Sequence, residues 1–480
     1  MVRQFTKPDD FGGMCVSKGL FTAEGGAASH AAVVARQIGI PAVVGCTGIV
    51  IDFNALTVTF GDKTLHEGDW ASVDGSTGQV FVGKVPLVKP NLEDQKDLMQ
   101  ILTWADEVRS APNSRKPCNG GPSRGLKVCA NADTPEDATR ARSFGAEGIG
   151  LCRTEHMFLG DRSAIVQRMI LAENDAERDA ALKELENLQI SDFTAMFEAM
   201  TDLPVIIRLI DPPLHEFLPD LLIITEEVTT LRTKKELGIA IDEEELAKKE
   251  KILAKCEQLH ETNPMVGFRG VRLCLVIPGL LKMQLRAIAE GVCQALEKGA
   301  HPHPEIMIPL TCHNNELARI KPQYEEITNQ IFKEHNADIH AMFGTMIEVP
   351  RAAVIADKMA EYAEFFSFGT NDLTQMGLGF SRDDVEGGFL QQYREWGILE
   401  ASPFQTIDQE GIGQLIDMAV ARGRSTRKDL TVGICGEHGG EPKSIGFCHK
   451  VGLDYVSCSP YRIPIARLAA AHACLNEMAK

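Results

Sequence analysis

No two cysteines in this chain stand in a C-x-x-C spacing, although 13 are present. Thiols scattered over so long a chain read as reduced cysteines in a reducing compartment, not as a disulfide framework. There is no run of 18 apolar residues, so no helical membrane span is expected. The first residues, Met1-Val2-Arg3-Gln4-Phe5-Thr6, hold no signal-peptide apolar region, and Glu477-Met478-Ala479-Lys480 matches no peroxisomal or reticulum address. Positive charge is short as well: 49 Lys and Arg against 67 Asp and Glu give a net charge of -18. A nucleic-acid backbone needs a basic footprint, so nucleic acid is not an expected partner. Any small anionic substrate must be held by local arginine clusters working against the global field. What is present is ordinary globular composition, 44% hydrophobic and 24% charged over 480 residues. That length suits about three domains, or fewer if one is a large α/β barrel.

The chain opens with a small α/β segment over residues 1–89. Ser29 to Ile38 presents a helical apolar face at Ala31, Val34, Ala35 and Ile38, and Gly39 closes the helix. Pro41 to Gly45 reads as a buried strand, and Trp70 to Val82 as strand, tight turn and strand around Asp74 to Gly78. Val85 to Asn91 is a linker, and Leu92 to Arg109 a helix within a linker region 90–111. Ser110 to Gly125 is a loop rich in Pro, Gly, Asn and Ser. Residues 112–480 hold eight short apolar runs: Leu126–Asn131, Gly148–Thr154, Val205–Asp211, Met265–Gly270, Glu305–Leu310, Gly344–Pro350, Phe365–Asp372 and Val432–Glu437. Helix-length segments separate nearly all of them, the alternation of a closed (β/α)8 barrel of TIM type. The charged stretch Glu226 to Glu261 is a helical excursion with a solvated face, to which no chemistry is assigned.

Polar and charged residues gather where these runs end: Arg153-Thr154-Glu155, Arg208 with Asp211, Arg269, Glu348, Thr370-Asn371-Asp372 and Cys435-Gly436-Glu437-His438. Barrel enzymes build their sites at the C-terminal ends of the strands. One arginine there is commonly an ion-pairing residue, but several strands ending this way in register are not explained by structure alone. Arg153, Arg208 and Arg269 offer planar forks for phosphate and carboxylate oxygens. Glu348 and Asp372 supply the oxygen ligands that Mg²⁺ prefers. A metal beside an arginine stabilises an enolate, and Cys435 is a candidate proton donor to carbon, although a lone cysteine is commonly a structural thiol. In the small segment, Gly25-Gly26 runs into a helix start at Ser29-His30. The free N–H groups there favour negative charge, and a histidine at that point can act as nucleophile and hold a phosphoryl group.

At these residues the sequence resembles the pyruvate, phosphate dikinases, a family of phosphoenolpyruvate-utilising enzymes. Gly25-Gly26 with Ser29-His30-Ala31-Ala32-Val33-Val34-Ala35-Arg36 is similar to the family's phosphohistidine signature. The segments Gly148–Phe158, Arg208–Phe217, Gly267–Arg272, Ser367–Gln375 and Gly433–Gly440 are similar to its barrel motifs, and the resemblance covers essentially the whole chain. It implies a partial swivelling phosphohistidine domain ahead of the barrel, with its first strands missing because residues 1–24 resemble the domain's middle. It implies that His30 carries the phosphoryl group to pyruvate enolate. Arg153 and Arg208 then bind phosphate and enolate, Glu348 and Asp372 hold Mg²⁺, Gly369, Thr370 and Asn371 line the site, and Cys435 moves the methyl proton.

In the family, ATP and phosphate enter through an ATP-grasp domain ahead of the histidine. That domain is missing here, so this chain alone is not expected to be phosphorylated by ATP. Plant-type members carry a regulatory Thr where Ala28 stands, so no switch is expected there. A homodimer through the barrel and a cytoplasmic location, or a plastid or glycosome, are further implications. The alternatives are a non-catalytic truncated paralogue acting as partner subunit, and a phosphoenolpyruvate synthase-type enzyme.

Overall fold

The computed structural model describes residues 1–6, 10–26, 29–86, 94–116, 118–158, 160–386 and 388–479. Ala28 and the linker residues 87–91 fall outside them.

Helix α1 (His30–Ile38) follows a short helical turn at Phe11–Val16, begins after Ser29 in extended backbone and ends on Gly39 at φ 74°, a left-handed turn that favours glycine. Its buried Ala31, Val34 and Ala35 pack with Met14 and Leu20. Beneath lies a parallel sheet of Val2–Arg3, Leu20–Thr22 and Ala42–Val43. The hairpin Ala71–Asp74 with Gln79–Val82 stands where the sequence places it. Asp74 Oδ1 accepts the N–H of Ser76 at 2.9 Å, and Gly78 turns at φ 71°. The antiparallel sheet Ile49–Asp52, Thr57–Phe60 and Lys63–His66 has no counterpart in the sequence reading. Phe21, Val43, Val58 and Leu65 join these sheets in one apolar cluster.

Helix α2 (Lys96–Ser110) follows and is tied to the C-terminal helix Ile463–Met478 through Asp106, which accepts from Arg467 Nε at 3.1 Å and pairs with Arg109 at 2.7 Å. Eight parallel strands then close a barrel in chain order. They are β1 (Lys127–Asn131), β2 (Ile149–Arg153), β3 (Pro204–Arg208), β4 (His303–Ile308), β5 (Met342–Ile347), β6 (Phe365–Gly369), β7 (Thr431–Cys435) and β8 (Tyr455–Cys458). The interior is filled from every strand, by Cys129, Leu151, Ile206, Met307, Met346, Phe365, Cys435 and Tyr455. Glycines make room for the rings: a Cβ on Gly433 would collide with Tyr455, and one on Gly344 with Phe365. The barrel is therefore a packed core whose chemistry can sit only at its rim.

One expected strand is absent. Met265–Gly270 lies in the long connection between β3 and β4, as a 3₁₀ turn at Pro264–Val266 followed by Gly270 at φ 59°. The eighth strand is instead the four-residue Tyr455–Cys458, so Cys435 ends the seventh strand and not the last. The charged excursion is a helical hairpin, α3 (Leu221–Glu236) and α4 (Glu243–Leu259). Its Ile224, Val228, Leu246 and Leu253 are buried against Phe158, Leu214 and Phe217. Among the described residues no helix is long and apolar enough to cross a membrane.

Candidate active site

Five strands deliver functional groups to one rim. Arg153 ends β2, Arg208 ends β3, Glu348 follows β5, Gly369 ends β6, and Cys435 ends β7. Asp372 comes from the helix Thr370–Leu378 that follows β6, and Arg269 from the connection where a strand was expected. Burial brings them together as a mesh of charge. Arg208 is gripped by Glu155 and pairs with Asp211 at 2.9 Å. Arg269 donates from Nη2 and Nε to the two oxygens of Asp211 at 2.6 and 3.2 Å. It also reaches both oxygens of Asp372 at 3.4 Å. Burial pulls both guanidinium groups down, and their carboxylate partners more than restore them, so both titrate above the usual arginine range. Asp211 is pushed up by burial, but the two arginines beside it outweigh that and hold it below its ordinary range.

Glu348 and Asp372 are different. Burial and the negative charge of Asp211 raise both carboxyls, and Glu348, with Asp372 as a further negative neighbour, rises well above its usual range. Glu348 Oε1 accepts the N–H of Leu310 at 2.6 Å. Its Oε2 occupies space that a side chain at position 369 would fill, since a Cβ there would stand 2.5 Å away. Two buried carboxylates that resist ionising side by side form a site that a divalent cation relieves. Among the described residues no three His, Cys, Asp or Glu converge on one point. The pair Glu348 and Asp372 could hold a cation such as Mg²⁺, which takes one or two carboxylates and completes its shell with water and substrate oxygens.

Cys435 faces inward, 3.5 Å from Ser367 Oγ, and burial raises its thiol above the ordinary value. A thiol in that setting is protonated at neutral pH. Beside it, His438 is fully buried between Thr370 Oγ1 at 2.8 Å and the Pro403 carbonyl at 2.9 Å. A carbonyl only accepts, so Nε2 carries the proton and Nδ1 receives the Thr370 hydroxyl. Burial lowers this imidazole to about 4, so it stays neutral and fixes Thr370 in place. Asn371 Oδ1 is buried without a hydrogen-bond partner, an acceptor left open beside Gly436. Arg153 is more exposed than the other two arginines and leans on Asp133 at 3.4 Å. Burial pushes Asp133 up, but His156 at 2.8 Å and Arg153 outweigh it and hold it far below its usual range.

His30 is not part of this rim constellation. It stands at the first turn of α1, with Nδ1 2.9 Å from Thr6 Oγ1. The Ser29 side chain makes no cap hydrogen bond, so the helix start is not closed by its own residue. The sequence reading places Arg153, Arg208, Arg269, Glu348, Gly369, Thr370, Asn371, Asp372 and Cys435 at the rim, and the structure brings all nine there. It did not assign roles to Glu155, Asp211, Asp133 or His438. Glu155, Asp211 and His438 stand inside the quoted motifs, but the pairings of Glu155 with Arg208 and of Asp211 with Arg269 join residues more than 50 positions apart and leave no local signal. Thr6, 24 residues from His30, left none either. A 480 Å³ cavity lined by Met169, Leu214 and Phe268, and a 1000 Å³ groove lined by Phe21, Phe53 and Trp70, share none of the rim residues.

Comparison with known proteins shows the family. The family described as "PEP-utilising enzyme, PEP-binding domain" matches residues 110–475, and "PEP-utilising enzyme, mobile domain" matches residues 1–78. The chloroplastic pyruvate, phosphate dikinase 1 of Arabidopsis thaliana is 50% identical over 474 residues, 98% of this chain and 46% of that protein. The pyruvate, phosphate dikinase of Clostridium symbiosum is 48% identical over 479 residues, 99% of this chain and 51% of that protein. The chain thus spans about half the length of the curated relatives it matches.

Proposed function

The chain belongs to the PEP-utilising enzymes, and from that premise we propose that its barrel interconverts phosphoenolpyruvate and pyruvate while His30 carries the phosphoryl group. The observation that carries this reading is the convergence of three arginines, two cation-ready carboxylates and one protonated thiol on a single barrel rim. On this reading residues 1–89 are the phosphohistidine domain, 90–111 the linker and 112–480 the catalytic barrel.

The chemistry follows from the groups present. Thr6 engages Nδ1 of His30, so the phosphoryl group is carried on Nε2, with the N–H groups at the start of α1 available to its oxygens. In transfer to pyruvate enolate the N–P bond breaks and an O–P bond to the enolate oxygen forms. Arg153 and Arg208 neutralise the moving oxygens, and Arg269 holds Asp211 and Asp372 in register. Glu348 and Asp372 would hold Mg²⁺, which when bound supplies positive charge beside the enolate oxygen. In the reverse direction Cys435 gives its proton to the methylene carbon of the enolate, completing pyruvate, and the thiolate recovers the proton when pyruvate enolises. ATP and phosphate, on this reading, act through the part of the relatives outside the matched half, and the barrel supports a homodimer.

The test is phosphoryl transfer from radiolabelled phosphoenolpyruvate to the protein in the presence of Mg²⁺. An acid-labile, base-stable label that is lost in His30→Asn is expected. A label that persists in His30→Asn would remove His30 from the reading.

A further inference from the structure

Among the described residues, helix α1 and the glycine that closes it meet the barrel at two points. At the first, Arg36 in its last turn donates from Nη2 to Glu437 Oε2 at 3.1 Å, a pair 401 residues apart in sequence. Glu437 stands two residues beyond Cys435, at the start of the 3₁₀ turn Glu437–Gly440, whose His438 is pinned between Thr370 and Pro403. At the second, Gly39 rests on Tyr461, and a Cβ there would collide with the ring. Tyr461 lies in the turn Pro460–Arg462 that follows β8, and is itself held by the edge of Phe144 at 5.8 Å and by Arg140 at 5.4 Å. Both points therefore fall on loops at the C-terminal ends of β7 and β8, the rim that carries the chemistry.

Among the described residues the contact combines one ion pair with one glycine packed on an aromatic ring. Among the described residues, neither apolar cluster of the small unit contains a barrel residue. Arg36 holds on with one nitrogen, while its Nε is buried with no hydrogen-bond partner, and both side chains of the pair stay partly exposed. Such a pair fixes register without binding tightly.

Resting on the proposed transfer chemistry, we propose that Arg36–Glu437 and Gly39–Tyr461 form a docking latch that sets α1, and with it His30, against the barrel rim for phosphoryl transfer. Arg36 is then a positioning residue of that step, acting through Glu437 and not on the substrate.

The experiment follows single-turnover labelling of the full 480-residue chain by radiolabelled phosphoenolpyruvate with Mg²⁺. It compares the wild type, Arg36→Gln, Arg36→Glu and the charge swap Arg36→Glu with Glu437→Arg. Exchange of pyruvate methyl protons in D₂O is read on each, because it reports the barrel alone. Like charges facing each other across an interface cost several-fold in occupancy. Arg36→Glu is expected to slow labelling by roughly tenfold, about 1.4 kcal/mol, with exchange unchanged. Arg36→Gln is expected to slow it less, and the charge swap to recover most of the rate. Labelling of Arg36→Glu at the wild-type rate overturns the latch, and so does a charge swap that exchanges protons normally but recovers nothing. A wild type that exchanges protons yet takes no label overturns the transfer reading itself, a result distinct from both.

Discussion

Arg208 and Arg269 have given up nearly all contact with solvent and gained carboxylates in return, Glu155 and Asp211 for one, Asp211 and Asp372 for the other. Removing one member of such a buried set leaves its partners charged and unpaired, which costs far more than the pair contributes. Arg208→Met is therefore expected to lower unfolding stability by about 3–5 kcal/mol in urea titrations, besides abolishing turnover. His438 supplies a second expectation at this scale. Its folded pKa of about 4 lies below the ordinary 6.5, so the unfolded chain takes up a proton that the folded chain refuses. Stability from this group is complete above pH 6.5 and is lost as pH falls through that window toward 4, by on the order of 3 kcal/mol. Urea midpoints measured between pH 7 and 4.5 should fall more steeply for the wild type than for His438→Gln. Residue types at strand ends made the arginines, Glu348, Asp372 and Cys435 legible in the sequence. That Arg208 also holds Glu155 was not legible, because the two meet only when two strands lie side by side, 53 residues apart.

Seven of the barrel's strands coincide with apolar runs visible in the sequence, since strands buried on both faces leave continuous hydrophobic stretches. Met265–Gly270 has the same look and a different fate. Pro264 and Gly270 at φ 59° break the extended backbone, and the segment serves to aim Arg269 at Asp211 and Asp372. The strand it displaced in the count, Tyr455–Cys458, has four residues and alternates in polarity, too short to register as a run. The α3–α4 hairpin shows a similar divide. Its charges announce an exposed face, but the buried side covers Phe158, Leu214 and Phe217, in the segments that follow Arg153 and Asp211. Leu246→Ala should cost about 2–4 kcal/mol in thermal or urea unfolding, and a loss under 0.5 kcal/mol would mean the hairpin is not docked on these loops.

At the scale of the molecule, the described residues form separate apolar cores around His30 and beneath the rim. The negative field of a chain with net charge -18 is overcome locally by the three rim arginines and by the cation that Glu348 and Asp372 would bind. Both carboxyls are raised without a metal, so binding must drive their protons off. Calorimetric titration with Mg²⁺ in two buffers of different ionisation enthalpy should reveal net proton release, and affinity should rise as pH rises. Equal heats in the two buffers would mean that these carboxyls are not the ligands.

The most direct measurement is Mg²⁺-dependent exchange of the methyl protons of pyruvate in D₂O, with the wild type and Cys435→Ala. It needs the barrel, the metal and the proton-transfer group, and neither ATP nor His30. Exchange that requires Mg²⁺, is blocked by oxalate and is lost in Cys435→Ala is the result predicted for a working enolising site. A folded wild type that shows no exchange, or a Cys435→Ala variant that exchanges as fast as the wild type, would contradict it.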